Sequence, residues 1–336
     1  MAIAFFRHDL CREHDTGPGH PERPQRLAAI ERRLADAGWP RLEVVEAPAA
    51  DEQQLLRVHS AAHLERVRRH VAAGVPLDLD TPVSPRSLDA ALVAAGAACA
   101  LAEALLTGRY ERGFAAVRPP GHHAEPERAM GFCLFNNVAC AAAHAFALGA
   151  ERVAVVDFDV HHGNGTCEAF RRSDRLLFAS IHQWPFYPGT GALEDVGSGP
   201  GRGYTINLPV PVGSDGDDWL SLIAHVVVPA LRRFAPDLIL VSAGYDAHRA
   251  DPIGGCLLET EDYAEITRHL DLVARALGVP LGFVLEGGYD LTALAESVLA
   301  TIFALGEPAE VTQPQRSPLV ERALAVLGGA VPLLES

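Results

Sequence analysis

The sequence contains no lysine, because all 28 of its basic residues are arginine. Genomic base composition is the simplest explanation, and one corollary is that no side chain of this protein can be acylated on a lysine amine. Positive charge is also scarce overall, and the net charge is −15. A nucleic-acid surface needs a basic patch, so this balance argues against a nucleic-acid partner. It is compatible with attracting a cationic substrate, although ordinary solubility explains it equally well.

Paired-cysteine motifs and targeting signals are also lacking. None of the six cysteines has C-x-x-C spacing, and we expect reduced thiols in a cytoplasmic protein. The N-terminal run MAIAFFRHDLCREHD becomes polar too soon for a signal peptide. No apolar run is expected to reach membrane-spanning length. We therefore predict a soluble cytoplasmic protein with no membrane partner, whose oligomeric state the sequence leaves open.

Apolar runs of strand length alternate with amphipathic or alanine-rich segments along most of the chain. The predicted strands are Ile3–Phe6, Leu42–Glu46, Phe114–Val117, Val153–Val156, Leu176–Ile181, Tyr204–Leu208, Leu238–Ser242 and Leu281–Leu285. The predicted helices are one ending at Leu34, then Glu52–Val71, Leu88–Leu106, Asn136–Leu148, Trp219–Phe234, Glu261–Leu277 and one from Leu291 onward. This alternation predicts a three-layer αβα protein with a mostly parallel open sheet.

A single domain is favoured, because we find no internal repeat, low-complexity segment or linker in the 336 residues. We expect residues 1–336 to form one domain. Its motif-bearing core would span about residues 9–305, followed by a peripheral helical tail at 306–336.

The segment Arg152–Thr166, RVAVVDFDVHHGNGT, predicts the centre of the site. Val153–Val156 is typical of a strand buried on both faces. Because strand residues alternate sides, Asp157, Asp159 and His161 share one side where the strand ends. Ligands collect at the carboxyl ends of parallel strands, and carboxylate and imidazole together suit Zn²⁺ or a similar divalent ion. The segment therefore predicts a metal site.

Three further strand ends carry chemically active side chains. His122 and His123 follow Pro-Pro-Gly, Asp246 ends LILVSAGYD, and Tyr289 ends EGGY. Asp246 can join Asp159 and His161 around one Zn²⁺ and leave positions open, as a catalytic site requires.

The remaining side chains suit hydrolysis. The paired histidines could transfer protons during attack on a carbonyl, with Asp157 and Asn164 as the nearest orienting partners. Tyr289 could donate a hydrogen bond to a developing oxyanion. Together these residues predict metal-assisted hydrolysis of an amide.

The motifs RPPGHHA, GFC, DFDVHHGNGT, SAGYDAH and EGGYD resemble those of the zinc-dependent histone deacetylase family. The resemblance runs from roughly Asp9 to Leu305 and implies the arginase–deacetylase fold. HDTGPGHPERPQRL and Asn164 resemble the class II branch and its bacterial relatives, including acetylpolyamine amidohydrolases, because class I carries aspartate at that position.

The resemblance implies a role for each matching residue. It implies one Zn²⁺ held by Asp159, His161 and Asp246. The implied catalytic residues are His122 as electrostatic partner paired with Asp157, His123 as general base and later acid held by Asn164, and Tyr289 as clamp on the scissile carbonyl. The implied substrate-binding residues are Gly131 and Phe132, Tyr187 as second aromatic wall, Ile253 near the mouth and Asp80 as rim aspartate. A structural K⁺ or Na⁺ is implied near Asp157, Asp159, His161, Ser180 and Ile181.

Other functions remain to be weighed. A two-metal ureohydrolase is disfavoured, because Gly163 and His248 occupy positions where it would need carboxylates. An acetylpolyamine amidohydrolase would use the same chemistry. However, the short segment between His63 and Ser87 and the apolar Ile253 favour acyl-lysine carried by a peptide or protein. A non-catalytic acyl-lysine binding protein is a third alternative. The acyl group and the choice among zinc, iron and cobalt stay open.

Overall fold

A single parallel sheet organises the computed structural model, which describes residues 2–306, 311 and 313–334. Within these residues the sheet has eight strands, in the order β2-β1-β3-β8-β7-β4-β5-β6, and every neighbouring pair is parallel. The strands are β1 (Ile3–Arg7), β2 (Leu42–Glu46), β3 (Arg112–Ala115), β4 (Val153–Asp157), β5 (Leu176–Gln183), β6 (Thr205–Val210), β7 (Leu238–Ala243) and β8 (Leu281–Leu285). The predicted three-layer α/β class is confirmed, with a sheet that is wholly parallel.

The burial of each strand follows its sequence. The central strands β4, β7 and β8 read VAVVD, LILVSA and LGFVL, and every residue in them is buried. The edge strand β2 reads LEVVE and is partly exposed. Strands covered on both faces need continuous apolar runs, whereas an edge strand tolerates charge.

Strand order places the four predicted reactive strand ends side by side. β3, β8, β7 and β4 are consecutive neighbours in the sheet. In a parallel sheet all carboxyl ends lie at one edge, so the loops after these strands must meet.

Helices cover both faces of the sheet. They are α1 (Gln25–Asp36), α2 (Glu52–Leu56), α3 (Ala61–Ala73), α4 (Ser87–Leu106), α5 (Asn137–Ala147), α6 (Asn164–Phe170), α7 (Gly216–Leu222), α8 (Val228–Phe234), α9 (Thr260–Leu277), α10 (Leu291–Gly306) and α11 (Pro318–Leu327). A π-helical turn, Ile223–Val227, joins α7 to α8. Helix α4 packs against α5, and α10 packs against both α1 and α9.

Two predicted helices are interrupted in the structure. The segment predicted as Glu52–Val71 divides into α2 and α3, because the Ser60 side chain accepts from the His63 N–H and caps a new helix. The segment predicted as Trp219–Phe234 changes to π-helical geometry before Pro229. Proline has no N–H, so the carbonyl of His225 loses its usual intrahelical donor there.

Two other expectations were wrong. We expected no apolar run of membrane-spanning length, but helix α4 is long and apolar enough by composition to cross a membrane. In the structure 72% of its most apolar window is buried inside the protein. The tail is not peripheral, because Val320, Ala323 and Leu327 of α11 are buried in the main core. The parts of the predicted tail at residues 307–310, 312 and 335–336 lie outside the described residues. All six cysteines are buried free thiols, as expected.

Candidate active site

A narrow pocket opens at the edge of the sheet where β3, β8, β7 and β4 end. Its cavity volume is about 80 Å³. His122 and His123 line it from the loop after β3, His161 from the loop after β4, and Tyr289 from the loop after β8. The structure thus brings together side chains that are far apart in the sequence.

Asp159, His161 and Asp246 form a buried cluster beside this pocket, and His161 also lines it. One potential ligand atom from each residue lies within 4.8 Å of the others. His161 Nδ1 lies 3.0 Å from Asp159 Oδ1 and 3.2 Å from Asp246 Oδ2. All three residues are buried. This is the set that the sequence predicted as metal ligands.

The backbone approaches the carboxylates of the cluster closely at two positions, and both are glycine. A Cβ at Gly287 would lie 2.1 Å from Asp246 Oδ2 and 2.6 Å from Asp159 Oδ2. A Cβ at Gly244 would lie 2.1 Å from Asp159 Oδ2. The Gly287 N–H also donates to Asp159 Oδ2 at 2.8 Å, which fixes that carboxylate.

The charges of the cluster suit a divalent cation. Burial and the nearby Asp159 carboxylate raise the pKa of Asp246 to about 7. Burial opposes protonation of His161, but its hydrogen bonds to Asp159 and Asp246 raise its pKa to about 10. The proton on His161 therefore offsets part of the carboxylate charge, and a divalent ion would replace it. Two carboxylates and one imidazole are donors that Zn²⁺ accepts, so the residues fit that ion.

The adjacent histidines have different partners and different charges. His122 Nδ1 lies 3.0 Å from Asp157 Oδ2, and His123 Nδ1 lies 2.8 Å from Asn164 Oδ1. Burial opposes protonation of His122, but the Asp157 and Asp159 carboxylates raise its pKa to about 10. Burial and the positive charges of His122 and His161 hold the pKa of His123 well below its usual value. At neutral pH the pair is one imidazolium and one neutral imidazole.

Tyr289 is held by contacts to both its ring and its backbone. The Arg26 guanidinium lies 5.0 Å from the ring centroid, and the Phe132 ring packs edge-on at 5.8 Å. The Tyr289 N–H donates to Asp251 Oδ2 at 2.6 Å. Burial raises the pKa of the phenol well above its usual value, so it remains a hydrogen-bond donor.

The predicted aromatic walls lie above the histidines. Tyr187, which is 36% exposed, packs edge-on against the His123 ring with centroids 5.1 Å apart. Phe132 and Gly131 both have left-handed backbone, with φ of +68° and +56°. A Cβ at Gly131 would lie 2.5 Å from His123 Cδ2, so only glycine allows this close approach.

The remaining predicted substrate residues also line the pocket. Asp80 and Ile253 lie in its wall. Asp80 Oδ1 accepts from the Gly131 N–H at 3.3 Å, and Thr81 Oγ1 accepts from the Phe132 N–H at 3.2 Å. The Asp80 loop therefore also holds the Phe132 wall in position.

The proposed monovalent-ion residues lie on two adjacent strands and in the loop after β4, which carries Asp159 and His161. Asp157 of β4 and Ser180 of β5 are register partners, and Ile181 follows Ser180. A K⁺ or Na⁺ site at these residues stays a prediction.

Several functional contacts were missed by the sequence analysis. Glu286 Oε2 accepts from the N–H groups of Gly121 at 2.6 Å and His122 at 3.1 Å, and burial raises its pKa to about 7. Its position directly after the buried strand β8 could have indicated this role.

A buried arginine cluster was also missed, although its residues lie in the quoted segments HDTGPGHPERPQRL and RPPGHHA. The Nε atom of Arg26 donates to the Gly288 carbonyl at 2.7 Å, and the Glu286 carbonyl accepts from its guanidinium as well. Glu22 holds Arg26 and Arg118, and all three side chains are fully buried.

Comparisons with known proteins agree with this geometry. A family model described as "Histone deacetylase domain" matches residues 20–305. The chain is 43% identical to Histone deacetylase 15 of Arabidopsis thaliana over 88% of its own length, and spans about half of that relative, 54%. It is 38% identical to the Histone deacetylase-like amidohydrolase of Pseudomonas aeruginosa, covering 93% of this chain and 88% of the relative. A crystal structure titled "HDA15 HD domain" superimposes with a TM-score of 0.92 at 38% identity, covering 99% of this chain and 96% of that one.

Proposed function

The chain belongs to the histone deacetylase family, and we propose that it is a zinc-dependent amidohydrolase that removes acetyl or other acyl groups from lysine side chains of peptides or proteins. The observation that carries this proposal is the buried Asp159, His161 and Asp246 cluster beside a pocket lined by His122, His123 and Tyr289. Amide hydrolysis needs an electrophilic centre, a base and an oxyanion donor within reach of one carbonyl.

Asp159, His161 and Asp246 would hold the zinc ion, which would act as a Lewis acid that polarises a carbonyl and lowers the pKa of water to about 7. His123 is neutral and bonded through Nδ1, so its Nε2 can accept a proton from the attacking water and later deliver it to the leaving amine.

The two other polar groups stabilise negative charge. The Asp157 carboxylate favours the protonated form of His122, whose charge would stabilise an oxyanion and which would be a poor base. The Tyr289 hydroxyl can donate to the oxygen of the scissile carbonyl. Neighbouring groups of opposite protonation state are the usual sign of divided acid, base and electrostatic roles.

The pocket shape supports an acyl-lysine substrate. Its cavity is about 80 Å³ and its upper walls are the rings of Phe132 and Tyr187. The four-methylene stem of lysine is apolar and fits a dry aromatic slot, while the amide reaches the polar base. Position 253 in the pocket wall is an apolar isoleucine, so it offers no carboxylate that could bind the second amine of a polyamine.

An acetylpolyamine is the second candidate, favoured by the net charge of −15. A negative surface raises the local concentration of a cationic substrate. The two candidates predict different preferred substrates. The first predicts the higher kcat/KM for an acylated lysine in a peptide, and the second predicts it for an acetylpolyamine.

Turnover of matched substrates tests the proposal. We would measure kcat/KM for acetyl-, longer-acyl- and lactyl-lysine peptides and for acetylpolyamines, before and after chelation and zinc restoration. Turnover of lysine peptides that is lost on chelation and regained with zinc supports the proposal. A higher kcat/KM for acetylpolyamines supports the second candidate. Binding of acyl-lysine peptides by zinc-loaded protein without turnover contradicts both.

A further inference from the structure

The amide of Asn164 is oriented by a carboxylate that does not line the pocket. Asn164 Nδ2 donates to Glu125 Oε1 at 2.9 Å, while Asn164 Oδ1 lies 2.8 Å from His123 Nδ1. The same Nδ2 has two longer contacts of 3.4 Å, to the His123 carbonyl and to Met130 Sδ. Glu125 is thus the nearest of its three acceptors and the charged one.

This contact determines which end of the amide faces His123. A carboxylate only accepts hydrogen bonds, so Glu125 can face only the NH₂ end of Asn164. The oxygen of Asn164 then faces His123 and can only accept, so the proton of a neutral His123 must lie on Nδ1. Nε2 is left with a free lone pair, as a base requires. A flipped amide would donate to Nδ1, move the proton to Nε2 and remove the base.

We infer that Glu125 is a positioning residue that fixes the base tautomer of His123 by orienting Asn164. This inference rests on the proposed function, since it assigns Glu125 to the proton transfer of that reaction. Glu125 touches neither the metal ligands nor the pocket, and acts only through Asn164.

The backbone of Glu125 is itself fixed, so its side chain is presented from a stable position. Its N–H donates to the Arg128 carbonyl at 2.8 Å. Its carbonyl oxygen lies 3.1 Å from His59 Nδ1, and burial holds the pKa of His59 at about 3, so His59 is a neutral partner.

Glu125 and Asn164 form a matched pair of one charged and one neutral group. Aspartate at position 164 would place two carboxylates about as close as the present 2.9 Å contact, and like charges at that distance repel. Exchanging the groups, with aspartate at 164 and glutamine at 125, would restore one acceptor toward His123 and one hydrogen bond between the pair.

Kinetics of single variants give the first test. We expect Glu125→Ala to lower kcat about tenfold, a part of the roughly 10²–10⁴-fold contribution of a general base, with KM little changed. Glu125→Gln can still accept from Asn164 and should lose less. Glu127→Ala, an exposed carboxylate of the same loop, is the matched control and should retain wild-type kcat. Wild-type kcat in Glu125→Ala would overturn the inference.

A double variant that exchanges the two groups tests whether Glu125 acts by orienting the residue at position 164 or only supports the structure. Asn164→Asp should lower kcat, and the double variant Asn164→Asp/Glu125→Gln should recover most of that loss. A structural role for Glu125 would instead make the two losses add. A double variant as impaired as the sum of its parts therefore contradicts the inference.

The tautomer itself can be measured without turnover. The ¹⁵N chemical shifts of imidazole distinguish protonated Nδ1 from protonated Nε2, and comparison with His123→Ala assigns the signals in the zinc-loaded protein. We expect a proton on Nδ1 in the wild type and a shift toward Nε2 in Glu125→Ala. An unchanged tautomer overturns the inference. Absence of turnover in the wild type would refute the proposed function while leaving this measurement valid.

Discussion

At the scale of single residues, the two pocket histidines carry different charges because they face different partners. His123 faces a neutral amide and is the base of the proposed reaction. We expect His123→Ala to lower kcat by about 10²–10⁴-fold with KM little changed. Steady-state kinetics on an acetyl-lysine peptide measure this, with His70→Ala, a half-buried histidine that does not line the pocket, as control. Activity equal to wild type in His123→Ala would mean that another group is the base.

Tyr289 contributes through a single hydroxyl hydrogen bond. Its ring is held by Arg26 and Phe132, so Tyr289→Phe should keep its position and lose only the donor. Donors of this kind are worth roughly 2.7–4 kcal/mol, so we expect kcat to fall about 10²–10³-fold. A fall in substrate affinity with unchanged kcat would show that the hydroxyl acts in binding.

Asp251 joins the loop that carries Tyr289 to the loop that carries Ile253. Its carboxylate accepts from the N–H groups of Tyr289 at 2.6 Å, Asp290 at 3.4 Å, Ile253 at 3.0 Å and Gly254 at 3.3 Å. The NH₂ end of an asparagine would face two of these donors and leave them unpaired.

We therefore expect Asp251→Asn to lower kcat, and to lower it much less when Tyr289 is already phenylalanine. A double-mutant cycle on kcat measures this coupling. Equal effects in both backgrounds would show that Asp251 does not act through Tyr289.

At the scale of elements, the sequence predicts strands better than helix ends. β4, β7 and β8 are continuous apolar runs. The sequence predicted the central residues of these strands correctly, because a strand buried on both faces needs apolar residues along its whole length. The break between α2 and α3 was missed because helical periodicity continues through it, although Ser60 is a recognisable cap. The π-helical turn depends on the missing N–H of Pro229. The spacing of apolar residues, from which the helix was predicted, does not reveal this loss.

In the site, too, residues marked by a local sequence pattern could be predicted, whereas residues defined by contacts to distant parts of the chain could not. Asp159, Asp246 and Tyr289 could be predicted because each follows a strand. Arg26 could not, because its carbonyl partners are more than 250 residues away and no local pattern links them. Glu125 was missed because its one contact to the site passes through Asn164.

The loop after β8 must approach the metal cluster closely, which makes Gly287 a sharp test of the proposed zinc site. A Cβ there would lie 2.1 Å from Asp246 Oδ2, so Gly287→Ala should displace that carboxylate. We expect the variant to bind zinc at least about tenfold more weakly, as losses at metal-supporting positions do. Competition with a chromophoric chelator measures it. Gly329→Ala, where nothing lies within 4 Å of the new Cβ, is the control.

At the scale of the whole molecule, buried ionisable groups predict a loss of stability in acid. Burial lowers the pKa of His14 to about 4 and that of His59 to about 3. In the unfolded chain both titrate near about 6.5. At these two histidines the unfolded state therefore binds more protons below that pH, which lowers the free energy of unfolding as pH decreases. Asp246 and Glu286, whose pKa values are raised to about 7, act in the opposite direction down to about pH 4.3, where their unfolded forms also bind a proton.

Glu22 extends this loss to lower pH. Burial alone would raise its pKa, but Arg118 and Arg26 lower it to about 2. Its stabilisation is complete above the unfolded value near about 4.3 and is lost as pH falls toward 2. Urea unfolding at several pH values from 7.5 to 3.5 should show the free energy of unfolding falling most steeply below about pH 4.5, where Asp246 and Glu286 no longer oppose the loss. Constant stability between about pH 4.5 and 3.5 would show that His14, His59 and Glu22 are not buried as described.

The contacts of Arg26 have a further consequence for how the protein acquires activity during synthesis. The guanidinium near the N-terminus holds the carbonyls beside Tyr289, close to the far end of the sheet-forming chain. A nascent polypeptide still on the ribosome therefore lacks this pocket until the segment after β8 has emerged. An N-terminal fragment that ends before Tyr289 would lack a residue that lines the pocket, so we expect it to be inactive.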